Sequence, residues 1–525
     1  MNTLDYTIML TYLIGLLLIG FVWRKQNSKQ DFFLGGRSLG WKPLSLSIMA
    51  TQLSAISFIS APAFVGLREG GGLIWLSYEI ALPLAMLLLL WLVLPTLHRS
   101  GVISVYDYLE RRFDKNSRFL LSLVFQISRS FATAIMIYAV SIILQSTIGL
   151  AFWQSVLLIG GITLVYSLQG GMKAVVIGDA VQMILIIFGA VTCLFYGLHH
   201  IGGWDQFMLL VDPNRLQAIN FSSHGFDGES FGFLPMLFGG IVLYASYYGC
   251  DQSEAQRSLS AKNPQDLKRM IMTASLLRFP ITLIYCAAGL VIGTFALNTP
   301  ELLAQIPDKN PDWMMPVFIV NYLPNGIIGL LLVAIMAAAM SSLSSAINSL
   351  SAVSVEDFCR LAGKQPDSAQ YVSYARYAGI FWGMVTLLLS FYAGSIAPTV
   401  IEAINKIGSV FYGPVLAVFI LAITTKSVTA KQVNIGLVVG VCVNLYLWLS
   451  GSTIFWFWWN LIGFLSCLLT VAVLSKILSP ITNDTVNTKQ AIAASPMTKL
   501  DYCILLSWFV CIVIGCYYLP LWISP

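Results

Sequence analysis

Seven ionisable residues lie within or at the ends of long apolar runs: Glu79, Arg129, Asp179, Asp251, Arg278, Glu402 and Lys406. A charge among apolar side chains in a membrane is costly, and it persists where it faces a cavity, a partner or a transported species. Glu402 and Lys406 sit near the end of a run, where snorkelling to the interface accounts for them. Glu79 lies deeper. A second set offers oxygen without charge. Met49 to Phe64 reads MATQLSAISFISAPAF, with Thr51, Gln52, Ser54, Ser57 and Ser60 ahead of Pro62. A hydroxyl-rich run interrupted near a proline predicts a broken helix with freed carbonyls. A second break is expected where Gly239, Gly240, Tyr244, Ser246, Tyr247, Tyr248 and Gly249 lead to Asp251. Finally, AAAMSSLSSAINS (Ala337 to Ser349) puts Ala338, Ser341, Ser342 and Ser345 on one helical face, with Ser344 beside them. Hydroxyls from one helix and carbonyls from another make an oxygen shell suited to a small hard cation such as sodium. Small residues also allow close helix packing, and the motif alone leaves both readings open.

These residues are carried by elements that belong in a bilayer. The chain has 525 residues, 57% hydrophobic and 10% charged, against roughly 25% charged in a soluble domain. Runs near 20 residues span the hydrocarbon, and about fourteen are present. The first, from Asp5 to Val22, lacks a preceding basic region and a cleavage site, so it reads as a retained span. Nine cysteines fall mostly inside apolar runs, and the four histidines (His98, His199, His200 and His224) fall at run ends or in loops. Neither pattern is a disulfide framework or a metal-enzyme site.

Alternate loops differ in charge. One set holds most of the basic residues, from Arg24 and Lys25 through Arg111, Arg112, Arg257, Lys364 and Lys489 to Lys499, and the other holds only Arg68, Arg215 and Lys309. Basic residues near span ends stay in the cytoplasm, so both termini are expected outside. The net charge of +5 thus reflects orientation, and its dispersal over short loops argues against a nucleic-acid partner. The longest loops, 199 to 230 and 297 to 324, read as external lids or as connectors. The stretch from about 478 to 499 is a polar linker.

Six ordered stretches resemble the sodium/solute symporter family: DFFLGGRSLGW (Asp31 to Trp41), YDYLERRF (Tyr106 to Phe113), QGGMKAVVIGDAVQ (Gln169 to Gln182), DQSEAQRSLSAKN (Asp251 to Asn263), the serine-rich run, and YGPVLAVFILAI (Tyr412 to Ile423). The resemblance, to a family of sodium/glucose cotransporters and bacterial sialic acid, galactose and proline symporters, implies an all-α polytopic fold. This fold has a five-plus-five inverted-repeat, LeuT-like core with one extra leading and three trailing helices. Residues 1–43 would form the leading helix and its loop, 44–198 the first repeat, 199–230 an external loop, 231–423 the second repeat and 424–525 the trailing helices. It also implies a multi-pass protein of a cell membrane, plasma or bacterial inner.

By the same resemblance, the main sodium site falls on carbonyls of Ala50, Leu53 and Ala338 and hydroxyls of Ser341 and Ser342. The second site of some members falls on Ser341, Ser344, Ser345 and Asp179, although Asp179 alone reads equally as a span-end acid. Positions resembling solute contacts are Gln52, Ser57, Glu79, Tyr244, Tyr247, Tyr248, Arg278 and Asn405. Arg278 stands for a lysine of the sugar branch, Asn405 for a glutamine, Ser57 for a longer polar side chain and Tyr248 for a tryptophan, departures that point away from glucose itself. Arg129 resembles a basic position in its span, and a guanidinium holds a carboxylate in two places.

The function these features imply is sodium-driven import of a small polar solute by alternating access. Sodium is the co-transported ion, and a sugar or sugar derivative is the first expectation for the solute. The alternatives are an organic anion of the sialic acid or monocarboxylate type, an amino acid, coupling to protons through Asp179 or Glu79, and a membrane sensor component. No nucleophile, base and orienting group cluster at a usable spacing, so no catalytic residue is assigned. The partners implied are sodium, a solute and lipid, with no obligate protein partner.

Overall fold

The computed structural model describes residues 2–23, 28–53, 55–228, 230–307, 310–361, 363, 367–392, 400–477 and 495–523. Arg24, Lys25, Ser54, Lys309, Lys364, Lys489 and most of the polar linker lie outside the described residues. Backbone N–H and C=O groups cannot stay unpaired in hydrocarbon, and a helix pairs them within one run. The described elements are accordingly helical: α1 (Thr3–Val22), α2 (Lys29–Leu34), α3 (Trp41–Gln52), α4 (Ala55–Gly66), α5 (Leu82–Leu88), α6 (Leu94–Arg99), α7 (Val105–Arg112), α8 (Lys115–Ile148), α9 (Phe152–Ile201), α10 (Trp204–Leu210), α11 (Phe233–Cys250), α12 (Gln252–Ser260), α13 (Pro264–Leu297), α14 (Pro300–Leu303), α15 (Met314–Tyr322), α16 (Ile327–Leu361), α17 (Ser368–Ser390), α18 (Val400–Thr424), α19 (Ala430–Leu449), α20 (Trp456–Ile477) and α21 (Lys499–Ile523).

Twelve helices are long and apolar enough to cross a membrane, the bent pair α3 and α4 makes a thirteenth span, and a shorter apolar stretch covers Phe152–Val165. These correspond to the runs expected from the sequence. Two of the runs share α9, which reverses at Gly171 (φ 55°, ψ −153°). A Cβ at Gly171 would lie 2.7 Å from the Phe32 carbonyl oxygen, so the turn requires glycine.

The first broken helix forms, but away from the proline. α3 ends at Gln52, Leu53 leaves helical geometry (φ −80°, ψ 72°), and the two halves meet at 52°. Pro62 instead lies inside α4, with its backbone against Gly289, where a Cβ would come within 2.4 Å of it. A proline inside a membrane helix is tolerated where neighbouring groups satisfy the freed backbone, and the break falls upstream, among the hydroxyl-bearing residues. The second expected break does not form within its span: α11 runs unbroken through its glycines to Cys250, where the span ends, and the Asp251 side chain accepts the Ser253 N–H and caps α12.

α16 is central and almost wholly buried from Ile328 to Val355, whereas α1, α17 and α21 expose leucines and aromatics outward to lipid. The start of α16 is pinned by the buried Asp5, which accepts the N–H groups of Gly326 and Gly329 at 2.6 and 2.9 Å. The 199–230 segment is fastened likewise: Arg215 donates to the carbonyls of Val65 and Arg68, at and just past the end of α4, at 3.0 and 3.1 Å.

Candidate functional site

The first half-helix delivers two kinds of oxygen to one place. Ala50 lies in the last turn of α3, where a helix runs out of intrahelical donors and presents its negative pole. α16 packs against both α3 and α4 and brings up Ser341 and Ser342, at 0 and 2% exposure. Ala338 lies one turn earlier on the same helix. Only oxygen is offered by these five positions, which suits a hard cation.

Next to this lies a buried ion pair. Asp179, in the second half of α9, is 0% exposed and accepts from Ser341 Oγ at 2.7 Å, Ser47 Oγ at 2.6 Å and Arg257 at 2.6 Å. Arg257 also donates to Ser47 Oγ at 2.7 Å and to Ser345 Oγ. Asp179 is therefore no span-end acid. The guanidinium takes two of the four residues assigned to a second sodium, while Ser344 donates to the Ser341 carbonyl at 2.9 Å. Sequence reasoning counted Arg257 as a loop charge, and Ser47 was passed over. The available signal was the DQSEAQRSLSAKN stretch, which turns inward as α12.

The solute-type residues gather around a cavity of about 690 Å³ including its mouth, lined by Gln52, Ser57, Glu79, Arg129, Tyr247, Arg278 and Asn405. Trp75, Tyr78, Met136, Tyr285 and Tyr412 complete much of the wall; sequence reasoning had singled out none of them. Tyr244 and Tyr248 stand behind it. Tyr244 donates to Glu79 Oε2 at 3.4 Å, and Tyr248 donates to Gln52 Oε1.

Within the wall Glu79 is neutralised. It accepts from Arg278 Nε at 3.1 Å and from Thr282 Oγ1 at 3.0 Å. Arg278 further donates to Tyr248 Oη at 3.1 Å and to Gln52 Oε1. Asn405 accepts from Tyr78 Oη at 2.8 Å. Arg129, from α8, is held more loosely. It lies 3.8 Å from Asp251 and 5.8 Å over the Tyr247 ring, and its buried Nε has no acceptor among the described residues. A second cavity of about 300 Å³ shares Tyr412 with the first and is lined by Asp251, Ser246 and Tyr106. The remaining two candidates lie apart from Arg129: Glu402 pairs with Arg68 at 2.5 Å, and Lys406 sits 5.7 Å over the Trp459 ring.

A model described as the sodium:solute symporter family matches residues 32–440. The human sodium/iodide cotransporter is 28% identical over 86% of this chain and 70% of its own length. A sodium/sialic acid symporter of Aliivibrio fischeri is 26% identical over 93% and 95%. Human sodium-coupled monocarboxylate transporter 2 is 28% identical over 81% and 68%. Among solved structures, a substrate-bound, outward-open Na+-coupled sialic acid symporter superposes with a TM-score of 0.82 at 24% identity, covering 91% of this chain and 99% of that one.

Proposed function

The chain belongs to the sodium:solute symporter family, a family of five-plus-five inverted-repeat transporters, and we propose that it imports a small organic anion whose carboxylate is held by Arg129. The carrying observation is the charge of the cavity wall. Of its ionisable residues, Glu79 and Arg278 cancel at 3.1 Å. Arg129 is the remaining charged wall residue: its partner Asp251 stands off at 3.8 Å and outside the wall, its buried Nε has no acceptor among the described residues, and its planar fork suits a carboxylate. A neutral sugar, the first expectation from sequence, would offer that fork no charged acceptor. The relatives named for iodide, sialic acid and monocarboxylate are in keeping with an anion.

The test is sodium-driven uptake into proteoliposomes of a carboxylate solute and of its amide analogue, each with and without sodium. A site built to pair a charged group discriminates strongly against the analogue lacking it. The carboxylate is expected to be taken up at least about a hundredfold better at limiting concentration. Equal uptake of acid and amide would reject the reading.

For sodium itself, the proposed ligands are the carbonyls of Ala50, Leu53 and Ala338 and the hydroxyls of Ser341 and Ser342. The place of Ala50 and Leu53 at the C-terminal, negative pole of α3 supports this assignment. Ser342→Ala removes one ligand of about five, so the sodium concentration for half-maximal uptake should rise about tenfold, with solute affinity at saturating sodium kept within about twofold. A sodium dependence like that of the unsubstituted protein would return the serine face to helix packing. The proposed orientation keeps the basic-rich loops cytoplasmic, so that sodium enters down its gradient.

A further inference from the structure

α12 is buried along its length although it lies outside the apolar spans on either side of it. Much of its polar content is matched. Gln252 bonds Val105 N and the Ile103 carbonyl, Gln256 bonds the Phe33 carbonyl, and Arg257 holds Asp179. Glu254 is different. It is 0% exposed, and apart from the Tyr247 hydroxyl beside it its carboxylate oxygens meet no hydrogen-bond donor in good geometry among the described residues. Ser258 Oγ, one turn further on the same face, is buried and unmatched as well.

The local charges already balance without Glu254. Arg257 faces Asp179 and Arg129 faces Asp251, which leaves no cation for a third carboxylate. An ionised carboxylate buried without a cation of its own bears a desolvation cost that protonation removes. We propose that Glu254 is a proton-binding site, loaded in this conformation, whose proton occupancy is linked to the occupancy of Arg129 by the solute anion. Burial raises the carboxyl to about 8, against the opposing pull of Arg257 and Arg129. The groups facing it are Arg129 from α8, Tyr247 and Tyr248 from α11, Tyr412 from α18, and Asp251 and Arg257 at its own helix. Ionisable groups on other elements near α12 are engaged elsewhere: Asp31 with Ser28, His98 with the Ala261 carbonyl, Asp107 and Asp357 with Arg118, and Glu356 with Tyr371.

The sign of the linkage follows from charge. An anion on Arg129 adds negative potential near Glu254 and strengthens its hold on the proton. By reciprocity the protonated protein binds the anion more tightly. Affinity is therefore greatest below the Glu254 titration and falls as pH rises through it, with a proton taken up from solvent when the anion binds.

The linkage rests on the anion reading of Arg129, whereas the proton site does not, and the test separates them. The full-length protein in detergent with sodium is treated with dicyclohexylcarbodiimide, which modifies buried protonated carboxyls, and Glu254 is followed by peptide mass spectrometry. Modification should be strong at about pH 6 and fall at least fivefold by about pH 9, where an ordinary carboxylate would be ionised at both. A flat profile, or no modification at about pH 6, would overturn the proton site. In the second arm, the solute dissociation constant is measured calorimetrically at both pH values. It should weaken about tenfold in the unsubstituted protein and less than twofold in Glu254→Gln, which mimics the protonated form and retains sodium-driven uptake. Equal pH dependence in both proteins would overturn the linkage. A Glu254 that titrates in a protein binding no carboxylate solute would sink the anion reading and leave the proton site standing.

Discussion

Replacing Arg129 by glutamine is expected to raise the dissociation constant of the transported anion by roughly 30-fold to several thousandfold, the equivalent of about 2–5 kcal/mol for removing one partner of a buried charge pair. The guanidinium is 5% exposed and lies 3.8 Å from Asp251, so the substitution also leaves Asp251 without its cation. Asp251→Asn alone is the control for that side effect. Arg129→Lys should recover part of the loss, because it restores the charge but not the planar fork. Sodium binding measured without solute should stay within about twofold, since the oxygens assigned to sodium lie on α3 and α16 and not around Arg129. An Arg129→Gln protein that binds the carboxylate as before, or that loses acid and amide equally, would remove Arg129 from recognition.

The second large effect concerns Arg257 and Asp179. Arg257→Ala would leave the Asp179 carboxylate at 0% exposure with only the hydroxyls of Ser47 and Ser341 as donors. Uncompensated buried charges of this kind cost about 3–5 kcal/mol, which should appear as a much lower melting temperature in detergent. Adding Asp179→Asn to Arg257→Ala should restore part of it, since the charge is then gone. Additive losses would show the two residues to be uncoupled. With the guanidinium removed, the oxygens of Asp179 and Ser345 become free to hold a cation. Raising sodium should then stabilise Arg257→Ala more than the unsubstituted protein, by mass action on the folded state. No such difference would speak against a cation ever occupying that position.

The two ion pairs of the site differ in how far sequence could reveal them. Glu79 and Arg278 each announce themselves as charges inside apolar runs, yet they are 199 residues apart. Only packing of the span carrying Glu79 against α13 turns two expected solute contacts into a neutralised pair. Once they cancel, Arg129 is the remaining charged residue of the cavity wall. Arg257 and Glu254 gave no such signal. Hydropathy assigns residues 251–263 to a loop because the segment is polar on average, and it cannot register that the segment folds back under the bundle.

By itself the sequence determined the helical class, the approximate number and the order of the spans, the serine face of α16 and the existence of the first helix break. Each of these follows from local rules: backbone hydrogen bonding in hydrocarbon and helical periodicity. The tertiary structure decided which charges cancel, where the first break falls relative to Pro62, and which polar groups are left unmatched. Those outcomes depend on distances between residues far apart in the chain, where electrostatic energy changes steeply with separation and burial, and spacing along a single run carries no record of them.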